Sequence, residues 1–296
     1  MFATISYPPI PIWDLGPINF SMHGVFAALG FLLGSMLILR EVRKRGYDTL
    51  KYQSVLTWGL VGALIGARYF TAPAQLFDGV PFLDAMHPLQ GNFSIMGGFA
   101  GGVIAGGWRM KMLDLPVLAM LDLATFGLAL GTAVGRIGDL IIVEHLGQAT
   151  DVAWGYGVKP GYELAPQHSG LQCPPMPVGT DGFCGIYHHV AIYDMIGAAI
   201  LLGVIYFVYR RYKLHYGQLF FLWMAWYGMQ RFLLDGLRFG MGDAVIGGFT
   251  WNQLSGLAAS LAGLILFWLM RSRQPIVSPE EDEKRGAVLV VEPAAR

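Results

Sequence analysis

Apolar residues in this chain do not alternate with polar ones at short period. They run in blocks of about twenty, separated by short polar stretches, and about seven blocks can be counted: 18–39, 54–75, 93–110, 116–142, 188–208, 217–237 and 251–270. A helix rising 1.5 Å per residue needs about 20 apolar residues to cross a hydrocarbon layer roughly 30 Å thick, so each block predicts a transmembrane helix. The block at 93–110 is short and rich in glycine, which makes it the weakest of the set.

Lysine and arginine fall in step with these blocks. REVRKRG follows the first, RMK the third, YRRYK the fifth and RSR the seventh, and these lie on one side if successive helices alternate in direction. Because basic loops stay in the cytoplasm, the N-terminus is expected outside and the C-terminus in the cytoplasm. MFATISYPPIPIWDLGPINFS places no basic segment before an apolar core, so the first block reads as a retained span rather than a cleaved signal.

Composition narrows the class. Of 296 residues 54% are hydrophobic and only 14% charged, against roughly 25% charged in an average soluble domain, and the mean hydropathy is +0.49. The expectation is an all-α integral membrane protein with one transmembrane helical domain over 1–271 and a disordered cytoplasmic tail over 272–296. Formal net charge is zero, so no global field points to nucleic acid as a partner. The longest outer segment, about 143–187, is rich in glycine and proline and holds the only two cysteines, Cys173 and Cys184. In an oxidising compartment they can staple the loop as a disulfide; two free thiols are the alternative.

Charge inside apolar blocks is costly, at least about 2.5–3.5 kcal/mol per group, and therefore marks candidate function. AVGRIGDLIIVEHLG carries Arg136, Asp139 and Glu144, with Gly131, Gly135 and Gly138 allowing close helix approach. The planar guanidinium of Arg136 suits bidentate binding of a phosphate; a structural ion pair with Asp139 or Glu144 is the plainer reading. In WYGMQRFLLDGLRFG, Tyr227, Arg231, Asp235 and Arg238 fall at helical spacing on one face, as either a headgroup site or a self-satisfied ladder.

Other positions are weaker. Glycines from Gly97 and Gly98 through Gly107 can pack helices or lie against lipid. Arg68 can join a headgroup site or snorkel to the interface. Asp122 falls inside the fourth block, and His23 near the outer end of the first is an available base. His189 and Tyr193 share a face at the start of the fifth. HExxH, paired CxxC, Walker and GxSxG motifs are absent, so no metal or other cofactor is expected. Together the residues point to an outer-leaflet site for an anionic lipid.

These stretches resemble the bacterial prolipoprotein diacylglyceryl transferases. GRIGD…E…G is similar to that family's signature, and the resemblance extends to LGPINFSMHGVFAALGFLLG, GALIGARYF, SIMGGFAGGVIAG, HHVAIYD and YGMQRFLLDGLR, most of the chain outside the long loop and the tail. It implies transfer of a diacylglyceryl group from phosphatidylglycerol, or another anionic phospholipid, to the lipobox cysteine of a preprotein at the bacterial inner membrane, with release of glycerol phosphate. The family's arginines fall on Arg136 and Arg231, its glutamate on Glu144, its glycine on Gly147 and its helix tyrosine on Tyr227; Arg238 keeps an arginine and Asp235 replaces a glutamate. Other positions depart as well. Met96 stands in place of the family's His-Gly-Gly histidine, Asp139 in place of asparagine, His23 in place of tyrosine, and His189-Val190-Ala191 in place of Pro-Ser-Gln. His23 is expected to supply the base lost at Met96. A related transferase with another acceptor, and an inactive lipid or lipoprotein binder, are the alternative readings; a transporter fits less well, because no inverted repeat is found.

Overall fold

The computed structural model describes residues 4–11, 13–15, 18–87, 94–164, 166–171, 173, 182–212, 214–238 and 245–272. The expected tail beyond 272 lies outside them, as does the start of the third apolar block. Long helices dominate: α1 (Met22–Lys44), α2 (Thr49–Tyr69), α5 (Ile95–Met112), α6 (Val117–Ile142), α7 (Val190–Arg211), α8 (Gln218–Asp235) and α9 (Trp251–Leu269), with two short helices, α3 (Ala72–Phe77) and α4 (Phe82–Ala85), between α2 and α5. Each expected block therefore holds a helix.

Among the described residues, five helical segments are long and apolar enough to cross a membrane: Met22–Lys44, Thr49–Phe77, Val117–Ile142, Val190–Arg211 and Trp251–Ser272. Helices α5 and α8 fall short of that standard. Six glycines and a basic last turn dilute α5, and Gln218, Gln230, Arg231 and Asp235 interrupt α8. Both are embedded instead against apolar partners, α5 along α2 and α8 along α9.

Three helix pairs approach backbone to backbone. A Cβ added to Gly30 of α1 would stand 2.5 Å from the Gly131 carbonyl oxygen of α6, one on Gly34 would stand 2.6 Å from that of Gly127, and one on Gly228 of α8 would stand 2.5 Å from that of Gly256 in α9. Between α2 and α5, a Cβ on Gly66 would overlap the Gly97 carbonyl oxygen and one on Gly97 would overlap Phe70. Gly98 faces the same helix, where an added Cβ would stand 3.6 Å from the Ala63 carbonyl oxygen. Of the two readings open for Gly97 and Gly98, helix packing or lipid contact, the approach of α2 is the helix-packing one.

At the end of the bundle that carries the Arg/Lys-rich turns, Asp122 has a structural role. Helix α8 starts at Gly217 without a side-chain cap of its own, and the Asp122 carboxylate of α6 accepts its orphan N–H groups, from Gly217 at 2.7 Å and Phe220 at 2.9 Å. A carboxylate at a helix N-terminus also meets the positive end of the dipole. Tyr52 of α2 donates to the Met120 carbonyl at 3.0 Å nearby, and Arg45 hydrogen-bonds Tyr209.

The opposite end is not a plain loop. Strands β3 (Leu146–Ala149), β4 (Tyr156–Val158) and β5 (Gly185–His189) form an antiparallel sheet in the order β3-β5-β4, and a 3-10 turn spans Pro166–Leu171. Val143, Leu146, Tyr156, Val158, Leu164 and Leu171 make a second small core under it. Hairpins β1 (Trp13–Leu15)/β2 (Ile18–Phe20) and β6 (Val245–Ile246)/β7 (Phe249–Thr250) flank it in sequence. Cys173 and Cys184 are joined as a disulfide. The N-terminal strand laces this cap to the bundle: Ile5 donates to Gly155 at 3.1 Å, and Tyr7 donates to the Leu140 carbonyl of α6 at 2.5 Å. The all-α expectation holds for the membrane-embedded part and misses this small β cap.

Filling the α2–α5 seam should destabilise the bundle by about 1–3 kcal/mol, as overpacking does elsewhere. Thermal unfolding of purified protein should show a lower Tm for Gly66→Ala, while Gly107→Ala, where an added Cβ meets nothing within 4 Å, should leave Tm equal or higher.

Candidate functional site

The site begins with the last turn of α6. Gly138 lets the N-terminus of α1 press directly on it, since a Cβ there would stand 2.7 Å from the Met22 carbonyl oxygen and 2.8 Å from the His23 Cα. That approach sets His23 against Asp139, and the imidazole Nδ1 hydrogen-bonds Asp139 Oδ1. Helix α6 then ends at Val143 in the left-handed region, φ 53°, a conformation a β-branched residue adopts only under constraint. The turn folds Glu144 back, with its N–H on the Asp139 carbonyl at 3.1 Å and its carboxylate 3.6 Å from His23 Nδ1.

Arg136 lies one turn earlier and is nearly inaccessible. Its Nη1 reaches Asp139 Oδ2 at 2.5 Å, which is the ion pair of the plainer reading, but its Nη2 reaches Asp194 Oδ2 of α7 at 2.6 Å. Asp194 also faces Arg231 of α8, with Nη1 at 3.6 Å, and accepts from Gln230 Nε2 at 2.6 Å. Arg231 Nη2 is 3.4 Å from Asp235 Oδ1, and Arg238 Nη1 is 3.4 Å from the same oxygen. Thr250 donates to the other oxygen of Asp235 at 2.5 Å. The result is an alternating series, His23, Asp139, Arg136, Asp194, Arg231, Asp235, Arg238, running across four helices and the turn after α8.

Saturation is incomplete among the described residues, with unmet guanidinium donors beside an Asp194 Oδ2 that also lacks a well-aligned hydrogen bond. Arg136 Nε, Arg231 Nε and Arg231 Nη1 are buried without a hydrogen-bond partner among the described residues. Buried guanidinium N–H groups cost free energy when unmet, and they are the donors that an anion would satisfy. Tyr227 lies beside them, its ring stacked on Trp223 at 5.6 Å and edge-on to Phe99 of α5 at 4.9 Å, with its hydroxyl next to Arg136 and Arg231.

The groups outside the helices are tuned by burial. Desolvation, aided by the negative charge of Asp139, raises the Glu144 carboxyl above its ordinary range. Burial holds His145, whose Nε2 is 3.5 Å from Asp139 Oδ2, well below the usual imidazole value, so it is neutral. Tyr7 is pushed up to about 12 by burial and keeps its proton while hydrogen-bonded to His189 Nε2 at 3.0 Å.

Most of the residues singled out from the sequence meet here: His23, Arg136, Asp139, Glu144, Tyr227, Arg231, Asp235 and Arg238. Gly147 contributes backbone, bridging β3 to Arg238 where a Cβ would stand 2.5 Å from the Leu237 carbonyl oxygen. Arg68 is held elsewhere: buried, it donates to the carbonyls of His87 and Ala85, each at 2.8 Å, tying the end of α4 to α2 rather than snorkelling. Met96 packs on the apolar core and offers no base. His189 and Tyr193 do not act as a pair, since Tyr193 hydrogen-bonds His188 Nδ1 at 2.9 Å and receives the Trp154 N–H at 3.0 Å. Asp194 is the residue that sequence reasoning underrated; its signal was a lone acid four positions after Val190, one turn into an otherwise apolar helix.

The model of one protein family, prolipoprotein diacylglyceryl transferase, matches residues 11–269. The chain belongs to that family. Its relatives include proteins named phosphatidylglycerol–prolipoprotein diacylglyceryl transferase from Frankia alni, 25% identical over 97% of this chain and 73% of the relative, and from Leifsonia xyli, 24% identical over 89% and 78%. One from Gloeobacter violaceus is 27% identical over 88% of this chain and 92% of its own length. Membership makes this prolipoprotein diacylglyceryl transferase family member an enzyme of the lipid-dependent transferase type, in a multi-pass helical membrane protein.

Removing the shared carboxylate should be costly. Asp194→Ala leaves Arg136 and Arg231 facing each other without it, and loss of one partner from a buried charge pair typically costs about 3–5 kcal/mol. Purified Asp194→Ala protein is expected to unfold well below the parent in a thermal melt, and an unchanged melt would contradict the bridging role.

Proposed function

We propose that this chain transfers the diacylglyceryl group of phosphatidylglycerol to a lipobox cysteine thiol, with Arg136 and Arg231 on the phosphate. The observation that carries the reading is the set of unmet guanidinium donors on two helices that converge on Asp194. In the reaction the thiol sulfur forms a bond to the glyceryl carbon next to the phosphate, the carbon–oxygen bond breaks, and glycerol phosphate leaves with the electron pair. Negative charge grows on the departing phosphate, and preorganised guanidinium donors in a water-poor site stabilise that change. Tyr227 and Arg238 complete the phosphate wall, and Asp235, with Gly147 behind the turn, orients Arg231 and Arg238.

His23 takes the thiol proton in this reading. Its Nδ1 is committed to Asp139, which leaves Nε2 to accept, and its side chain is 49% exposed whereas Asp139 is 1% exposed. A buried carboxylate aligning a half-exposed imidazole is the arrangement by which bases are oriented in hydrolase triads. Glu144 lies within reach to share the proton.

The topology we infer is seven spans, with α5 and α8 crossing by virtue of their partner helices. Basic turns at one end of the bundle would face the cytoplasm, the β cap would face outward, and the bacterial inner membrane would be the location. An alternative acceptor or a lipid-binding role without turnover draws support only from Met96.

The decisive assay supplies phosphatidylglycerol labelled in its headgroup glycerol, together with a lipobox peptide, to protein in detergent. Labelled glycerol phosphate should appear only with the peptide cysteine present, and Arg136→Ala or Arg231→Ala should lower the rate by about 100-fold or more. His23→Ala should also lose about 100-fold; turnover at the parent rate would remove His23 from the mechanism.

A further inference from the structure

We propose that His23, Asp139 and Glu144 form a binding site for a divalent cation of the zinc type, with an open position that takes the acceptor thiol. One imidazole nitrogen of His23 and one carboxylate oxygen each of Asp139 and Glu144 lie within 4.8 Å of one another. Histidine and carboxylate are both zinc ligands, and three protein ligands with a fourth place left open is the coordination of a catalytic site. The ligands come from α1, the last turn of α6 and the strained turn at Val143, so no local sequence motif announces them.

The surroundings suit an ion as well as the ligands do. Asp139 keeps Oδ2 on Arg136 at 2.5 Å and 3.5 Å from His145 Nε2, which fixes the carboxylate, and a cation would replace the His23 Nδ1–Asp139 Oδ1 hydrogen bond and take up both atoms. Such outer partners orient ligands in metal sites generally. His23 and Glu144 keep 49% and 29% of their side-chain surface accessible, giving a cation and a thiol a way in from the cap side, while Asp139 is closed off at 1%. Two of the three ligands, His23 and Asp139, stand at positions where the family pattern carries tyrosine and asparagine. Both departures add a metal-binding atom.

The second half of the proposal rests on the transferase reading. A thiol that coordinates such a cation loses its proton outright. The proton would pass to solvent, the bound thiolate sulfur would form the bond to the glyceryl carbon, and the carbon–oxygen bond to phosphate would break as before. The chain would then have two routes to the thiolate: His23 as base when the cation is absent, and the metal-bound form when it is present.

The test uses the full-length protein in detergent, stripped with chelator and dialysed against zinc. One equivalent should bind, and His23→Tyr and Asp139→Asn, which restore the residue types of the family pattern and so spare the fold, should each weaken binding at least tenfold. Zinc binding that is absent, or equal in parent and both variants, overturns the site. With Co²⁺ in place of zinc, adding the lipobox peptide should produce a thiolate-to-cobalt absorption band that a Cys→Ser peptide does not give. A cobalt-loaded protein whose spectrum ignores the peptide overturns the thiol position. Equal glycerol phosphate release by stripped and zinc-loaded protein would overturn metal activation while leaving the transferase reading intact; absence of release in every form would sink the transferase reading, and the metal count would still decide the site.

Discussion

Everything in this bundle is arranged around the expense of burying Asp194 between two arginines. A single carboxylate shared by Arg136 of α6 and Arg231 of α8 ties three helices at one depth, and neither arginine is fully satisfied by it. Isolated charges of this kind would be rejected from hydrocarbon. Extended into an alternating series from His23 to Arg238, they become mutually dependent, and among the described residues hydrogen-bonding capacity is left over on the arginines and on Asp194 Oδ2. A protein that only needed stability would be better served by apolar side chains at these places.

The rest of the fold serves that series by holding backbones close. Gly138 removes the side chain that would keep α1 off α6, and the left-handed Val143 brings Glu144 back over the same spot. Asp122 starts α8 at the other end of the bundle, which sets the height at which Arg231 emerges. Helix propensity does not explain any of these features; each is a tertiary demand placed on one residue.

That division explains what the sequence disclosed. Long apolar blocks and their basic flanks announced every major helix, because a membrane solvent enforces a coarse pattern over twenty residues. Arg136, Arg231 and Tyr227 were legible for the same reason, as polar groups where polarity is expensive. The strands β3, β4 and β5 were not legible: they are three to five residues long, sit among glycine and proline, and gain their order from the small core under Val143 and Tyr156. Asp194 was visible as an acid but not as a bridge, since its partners are 58 positions before it and 37 after. Arg68 looked like a site residue by the rule that raised Arg136, but its partners are two backbone carbonyls at the end of α4, whereas Arg136 faces two carboxylates.

The glycine seams between α1 and α6, α2 and α5, and α8 and α9 have a consequence for motion. Backbones locked at van der Waals distance cannot slide or part without losing contact along their whole length, so each pair moves as a plank. A two-chain lipid entering from the bilayer, and a thioether-bearing product returning to it, must therefore pass between planks rather than through one. Hinge movement would fall at the joints that lack glycine interlocks, and the charged series, strung across those joints, would sense each opening as a change in which arginine holds Asp194.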